Sequence, residues 1–318
     1  MHAELLAHRV PGASLAMVFD PVVAAAEPVA ASLGVPIAAS VDELLGADDV
    51  DAVAICTSTD THVDLLVDAA TSGNGKAIFC EKPISLDIEE VDRALAAVTG
   101  AGARLQVGFN RRFDPAHRSV HDAVRTGTIG DIHLVRISSR DPAPPSLDYI
   151  ARSGGIFLDM TVHDFDMARF VVGSEVVEVF ARGAVRVDPA IGELGDVDTA
   201  VVVLRHENGC LTVIDNSRQA EYGYDQRVEA FGSLGMASSG NPSAHTGSLL
   251  TAAGSSQPPL PHFFVERYVP SYLLQWAAFV EYARSGGPSP VSGNDGRAPL
   301  AIGLAAWESA REGHPVAP

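Results

Sequence analysis

DAVAICTSTDTHVDLLVDAATSGNGKAIFCEKP, running from Asp51 to Pro83, decides the fold. Asp51 to Cys56 and Lys76 to Cys80 are apolar runs of strand length, and the segment from about Thr61 to Ser72 carries a helical pattern. Strand, helix and strand in this order make a crossover unit, whose two strands lie parallel and need helices over their faces. The alternation continues in both directions. Upstream, Ser14 to Phe19 reads as a strand, Pro21 to Leu33 as an Ala-rich helix, and Ser40 with Glu43 as a helix start. Downstream, Asp87 to Thr99 reads as a helix and Arg104 to Gly108 as a strand. The class is α/β, with an N-terminal doubly wound parallel sheet of the Rossmann type.

A dinucleotide-binding sheet ordinarily opens on a strand and a G-x-G-x-x-G turn, whose backbone cradles a pyrophosphate at a helix N-terminus. This sequence opens instead on Met1-His2-Ala3-Glu4-Leu5-Leu6-Ala7-His8, which reads as the latter part of a helix. The expectation is therefore an N-terminally truncated nucleotide domain with its first strand absent, its start lying inside a longer reading frame; a real truncation is the alternative.

After Gly108 to Phe113, which should link two domains, the pattern changes. Asp114 to Thr126 is a helix. Ile132 to Arg140, Val176 to Val187, Asp198 to His206, Cys210 to Ser217 and Gln226 to Phe231 are strands with partial alternation, and Glu207-Asn208-Gly209 is a hairpin turn. A mostly antiparallel sheet with one face under helices and the other available to a second subunit follows. Ser238 to His262, rich in Gly, Ser and Pro, is expected to be a long surface loop. Arg267 to Arg284 and Asn294 to Glu312 are closing helices, with Trp276, Phe279, Ala305 and Trp307 as core residues. The expected domains are 1–112, binding nucleotide, and 113–318, binding substrate and forming the oligomer.

Composition narrows the function. Lys and Arg number 22 against 40 Asp and Glu, a net charge of -18, which disfavours nucleic acid or an anionic membrane as partner. No segment reaches the roughly 18 consecutive apolar residues of a membrane span. Cys56, Cys80 and Cys210 lack metal-ligand spacing and read as reduced thiols of a cytoplasmic protein.

The chemistry concentrates in SGGIFLDMTVHDFDMARF, Ser153 to Phe170. On one helix, Asp159 and His163 would share a face one turn apart, so the carboxylate would orient the imidazole as a general base. A surface Asp/His pair is the plainer reading of that spacing alone. Asp159, His163, Asp164 and Asp166 also include metal-binding residue types, but no second His or Cys cluster accompanies them and no metal is expected. In the first domain, ligands should lie beyond the carboxyl ends of the strands, where Asp20, Thr57 to Asp60, Glu81 and Lys82 fall. An acidic residue at Asp20 would accept from an adenosine ribose diol and repel a 2'-phosphate, favouring NAD over NADP. Its alternative is a strand-end turn residue.

Taken together, CTSTDTH (Cys56 to His62), FCEKP (Phe79 to Pro83), VGFNRRFDP (Val107 to Pro115), GGIFLDMTVHDFDMARF (Gly154 to Phe170) and NSRQAEYGYDQRVEAFGSLGM (Asn216 to Met236) resemble the Gfo/Idh/MocA oxidoreductases over nearly the whole length. The resemblance implies Lys82, Asp159 and His163 as catalytic residues. It implies an NAD site drawing on Asp20, Thr57, Ser58, Thr59, His62, Glu81, Lys82, Asn110 and Arg111. It places Lys82, Asp141, Asp159, His163 and a tyrosine of the Y-G-Y-D run, Tyr222 in the first instance, around the substrate. Arg112 is read as structural. The implied activity is NAD-dependent oxidation of a cyclic polyol such as myo-inositol at a secondary alcohol, by a homo-oligomer, dimer or tetramer, assembled through the C-terminal sheet. Another sugar as substrate, or a non-catalytic chain without a working nucleotide site, are the alternatives.

Overall fold

The computed structural model describes residues 1–243 and 245–318. They form two compact units, Met1–Phe109 with Tyr272–Arg297, and Asn110–Ser271 with Ala298–Pro318.

The first unit runs α1 (His2–His8), α2 (Val23–Leu33), α3 (Val41–Gly46), β1 (Ala52–Ile55), α4 (Thr59–Thr71), β2 (Ala77–Cys80), α5 (Ile88–Ala101) and β3 (Leu105–Val107). Among the described residues its sheet has the order β1-β2-β3, all parallel, with Ala52 opposite Ala77 and Ile78 opposite Leu105. All four residues of β2 are sealed from solvent, as a central parallel strand covered on both faces must be. The helix signals are those of the sequence: Ser40 Oγ accepts from Glu43 N, Asp87 Oδ1 accepts from Glu89 N, and α5 buries Val91, Ala94 and Val98 before a left-handed Gly102 ends it. Residues 272–297 complete this core, with the buried Trp276 ring 4.3 Å from that of Phe79.

The strand expected over Ser14 to Phe19 is not formed as such. Only Val18 bridges, to Ile37, through hydrogen bonds from Val18 N to Pro36 O and from Ala38 N to Val18 O. An apolar run becomes a strand only beside a partner ladder, and two hydrogen bonds do not make one.

The second unit opens with a 3-10 turn (Asn110–Phe113) and α6 (Pro115–Arg125), capped by Asp114 Oδ1 on the N–H groups of Ala116 and His117. There follow β4 (Ile132–Arg140), α7 (Leu147–Ile150), α8 (Gly155–Asp159), α9 (Val162–Val172), β5 (Val176–Ala184), α10 (Pro189–Glu193), β6 (Thr199–His206), β7 (Leu211–Ser217), β8 (Asp225–Gly232), β9 (Gly235–Ser239), β10 (Leu249–Thr251) and β11 (Gly254–Ser256). The chain closes with α11 (Phe264–Ser285) and α12 (Gly293–Glu312). Among the described residues the large sheet has the order β5-β6-β7-β4-β8-β9, antiparallel throughout except for the parallel pair β4 and β7. Burial alternates strictly along β6: Ala200, Val202, Leu204 and His206 are buried, while Val201 and Val203 face outward. The buried face packs with Phe165, Ala168, Val171 and Val172 of α9 in one core.

The long loop expected from Ser238 to His262 is interrupted by the hairpin β10–β11, in which Leu249 pairs with Ser256 and Thr251 with Gly254. Its Gly and Ser content masks strands of three residues, too short to show a period. Residue 244, inside that expected loop, lies outside the described residues.

Candidate active site

In the first unit the relevant groups stand beyond the carboxyl ends of β1 and β2. Helix α4 begins at Thr59 with Ser58 as its N-cap; Thr61 N donates to Ser58 O, and Ser58 makes no side-chain cap bond, so the N–H groups of Thr59 and Asp60 retain donor capacity. Thr57 Oγ1 lies 2.6 Å from Thr61 Oγ1. Asp20 Oδ1 accepts from Val22 N at 2.8 Å, the local bond of a turn-forming aspartate. Such a set of helix N-terminal donors and a carboxylate fits a nucleotide's polar groups.

Two of the expected cofactor residues are engaged in building the Lys82 loop. His62 is fully buried, and its ring nitrogens face the carbonyl oxygens of Pro83 at 2.8 Å and Thr57 at 3.1 Å, tying the two strand-end loops together. Glu81 turns back against the sheet: Oε2 accepts the Lys82 N–H at 3.1 Å, and Oε1 lies 3.1 Å from His2 Nε2. Gly108 makes room for that carboxylate, since a Cβ there would come 2.8 Å from Oε2. Trp276 Nε1 donates to His2 Nδ1 at 3.1 Å, which leaves the His2 proton on Nε2, facing Glu81. Lys82 is half-buried, and its peptide with Pro83 is cis.

In the second unit a buried polar network runs under the sheet. Asp164, with no exposed surface, accepts from Arg111 Nη1 at 2.8 Å, Ser139 Oγ at 2.6 Å and Asn216 Nδ2 at 2.7 Å. Burial raises its carboxyl above the ordinary range, while Arg111 and the hydrogen bonds from Ser139 and Asn216 work against that. Arg111 also donates to Tyr224 Oη at 3.2 Å, so this expected cofactor residue is anchored in the core of its own unit. Arg112 pairs with the buried Asp166, Nη2 to Oδ1 at 2.6 Å and Nε to Oδ2 at 2.9 Å, in keeping with its structural reading. Asn110 is buried, and among the described residues its Nδ2 has no hydrogen-bond partner, a donor suited to a ligand carbonyl or hydroxyl.

Asp159 and His163 do not lie on one helix, as their spacing suggested. Asp159 ends α8 and His163 stands in the first turn of α9. The break falls where Thr161 N donates to Ile156 O at 2.8 Å, a bond one residue longer than the α ladder, and Thr161 Oγ1 turns to Asn216 Oδ1 at 2.7 Å. Both residues therefore flank a junction between two helices rather than sharing a regular helical face. Asp159 Oδ1 accepts from Tyr149 Oη at 2.8 Å, and Oδ2 from Arg218 Nη1 at 3.3 Å. Neither Tyr149 nor Arg218 was legible as a site residue; no spacing links them to Asp159, and the fold alone brings them there.

Asp141 follows β4 and is only partly shielded from water. Its carboxyl is pushed up to about 6, first by desolvation and then by Asp159 and Asp164, with Arg111 and Arg218 opposing. The two tyrosines of Y-G-Y-D separate. Tyr224 is buried on Arg111, whereas the half-exposed Tyr222 has its hydroxyl on Arg140 at 3.0 Å and Asp225 at 2.7 Å.

A parallel sheet with polar groups beyond the carboxyl ends of its strands is the architecture of dinucleotide-dependent oxidoreductases. The chain belongs to the GFO/IDH/MocA family: residues 1–109 match the oxidoreductase family's NAD-binding Rossmann fold and residues 117–238 the GFO/IDH/MocA C-terminal domain. It is 52% identical over 270 residues to the myo-inositol 2-dehydrogenase of Thermotoga maritima, covering 85% of this chain and 80% of that one. The crystal structure of a myo-inositol dehydrogenase from Corynebacterium glutamicum superimposes with a TM-score of 0.94 at 42% identity, covering 99% of this chain and 94% of that one. That of scyllo-inositol dehydrogenase from Lactobacillus casei, with bound NAD(H) and scyllo-inositol, does so with a TM-score of 0.90 at 29% identity, over 99% and 94% of the two chains. The protein is thus a dehydrogenase acting on CH–OH with NAD as its cofactor.

Proposed function

We propose that the substrate is myo-inositol or a closely similar cyclic polyol, oxidised at a ring carbon to the 2-keto product. The 52% identity to a protein named for that reaction carries the substrate class. Oxidising a secondary alcohol removes a hydroxyl proton while hydride leaves the same carbon; NAD, when bound, takes the hydride. In this reading His163 accepts the proton, Asp159 orients it, and Lys82 stabilises the oxygen as alkoxide character develops. Asp20 sets the preference for NAD, the loop from Thr57 to Thr59 and Asn110 contribute polar contacts to the cofactor, and Asp141 accepts from substrate hydroxyls. The position of Tyr222 on Arg140 and Asp225 favours Tyr224 as the tyrosine nearer the Asp141 cluster.

The outward face of the large sheet supports self-association. Val201, Leu211, Phe231 and Met236 are each at least 42% exposed, and the last three lie in one cross-strand row with Leu134. A homotetramer in the cytoplasm is the assembly proposed, consistent with three free cysteines. Size-exclusion chromatography with light scattering tests it.

The substrate reading is tested by following NADH formation with myo-inositol, scyllo-inositol and hexoses. Myo-inositol should give the highest kcat/KM, by at least about tenfold over any hexose. A hexose that outruns it would replace the substrate while leaving the family intact.

A further inference from the structure

Arg218 presents a physical puzzle. Its side chain is 1% exposed, yet Nε and Nη2 make no hydrogen bond among the described residues. A guanidinium taken out of water with two nitrogens unserved costs more than an apolar residue of the same volume, so its charge needs a use where it stands. Its hydrogen bond goes to Asp159 Oδ2, and its Nη2 lies 3.6 Å from Asp196 Oδ2.

The second carboxylate is fixed in turn. Asp196 Oδ1 accepts from the backbone N–H of Ile156 at 3.0 Å and of Val197 at 2.8 Å. Gly155 permits this: its φ is +77°, and a Cβ on it would come 2.7 Å from Asp196 Oδ1. Asp196 therefore holds the start of α8, Asp159 ends it, and Arg218 spans the two. From the other side Tyr149, in α7, donates its hydroxyl to Asp159 Oδ1. Desolvation and the neighbouring Asp159 push the Tyr149 phenol well above its usual range, so it remains a donor.

We propose that Tyr149 and Arg218 are positioning residues for Asp159, gripping one carboxylate oxygen each so that the remaining lone pairs point in fixed directions. A carboxylate held at one oxygen can rotate about its terminal torsion, which is broad and soft; one held at both cannot. The grip rests on the reading of Asp159 as part of the chemistry. It goes beyond that reading by making turnover depend on a half-exposed tyrosine and a buried arginine that touch neither cofactor nor reacting atoms in the scheme above.

The test compares steady-state kinetics with myo-inositol for Tyr149→Phe and Arg218→Lys, alone and combined with Asp159→Asn, each checked for a native melting transition. Tyr149→Phe keeps the ring and removes only the donor; if Arg218→Lys does not fold, Tyr149→Phe decides alone. The expected result is a kcat lowered by about tenfold in each single variant with KM for NAD unchanged, and less than about twofold further loss on the Asp159→Asn background. A full, independent loss on that background would overturn the inference, since groups acting through Asp159 have no catalytic carboxylate left to position there. Wild-type kcat in Tyr149→Phe beside a large loss in Asp159→Asn would overturn it alone. Wild-type kcat in Asp159→Asn would remove Asp159 from the chemistry, and this inference with it.

Discussion

Arg111 Nη1 stands 2.8 Å from Asp164 Oδ1 in a pair from which water is shut out on both sides. The pair joins the 3-10 turn at the start of the second unit to helix α9, three residues after the α8–α9 junction. Removing one partner of a buried pair strands the other charge. Arg111→Met should therefore destabilise the protein by about 3–5 kcal/mol, read as a lowered urea midpoint. Native stability together with a raised KM for NAD would instead return Arg111 to the cofactor site.

Lys82 and His163 are assigned separate parts of one proton and charge problem. Lys82→Ala and His163→Ala should each lower kcat by at least about a hundredfold. Both side chains are half-buried, so each variant's melting transition is recorded beside its kcat to separate a lost role from a lost fold. A near-normal kcat in either variant removes that residue from its role.

Legibility divides along physical lines. The first unit was readable because helix caps and buried strands are local: Ser40, Asp87 and the all-apolar β2 declare themselves within a few residues. The strand over Ser14 to Phe19 was misread because pairing is not local. The spacing of Asp159 and His163 predicts one helix for both, but the ladder breaks between them at Thr161, whose N–H and hydroxyl both turn to Ile156 O while Oγ1 also reaches Asn216 Oδ1. Arg111 is implied as a cofactor contact only by the resemblance, and its partner Asp164, 53 residues away, is shown only by the fold. His62 and Glu81 have partners within the loop that the sequence does not reveal, the carbonyls of Pro83 and Thr57 for one and the Lys82 N–H and His2 for the other.

Asp20 offers the cleanest test of cofactor choice. Its Oδ1 is held by Val22 N, which fixes the carboxylate at the end of the 14–19 run. A negative charge there favours a free ribose diol and repels a 2'-phosphate. Asp20→Ser should reduce the preference for NAD over NADP by at least about tenfold, measured as the ratio of the two kcat/KM values. An unchanged ratio would leave Asp20 as a turn residue only.

Asp141 links substrate binding to stability. Its carboxyl, ordinarily near 3.8, is held at about 6 in the fold, chiefly by desolvation. Between these values the folded state keeps a proton that the unfolded chain has released, so stability is greatest below the unfolded pKa and falls as pH rises toward about 6. Above that the loss is complete, at about 2–3 kcal/mol. Asp141→Asn cannot ionise and should escape it: relative to the parent, the variant gains this amount at about pH 8 and almost nothing at about pH 4, as urea midpoints would show. Equal gains at both pH values would mean that the carboxylate is not penalised in the fold. Where Asp141 accepts from a polyol hydroxyl, as proposed, the stabilised variant should bind myo-inositol more weakly, raising KM.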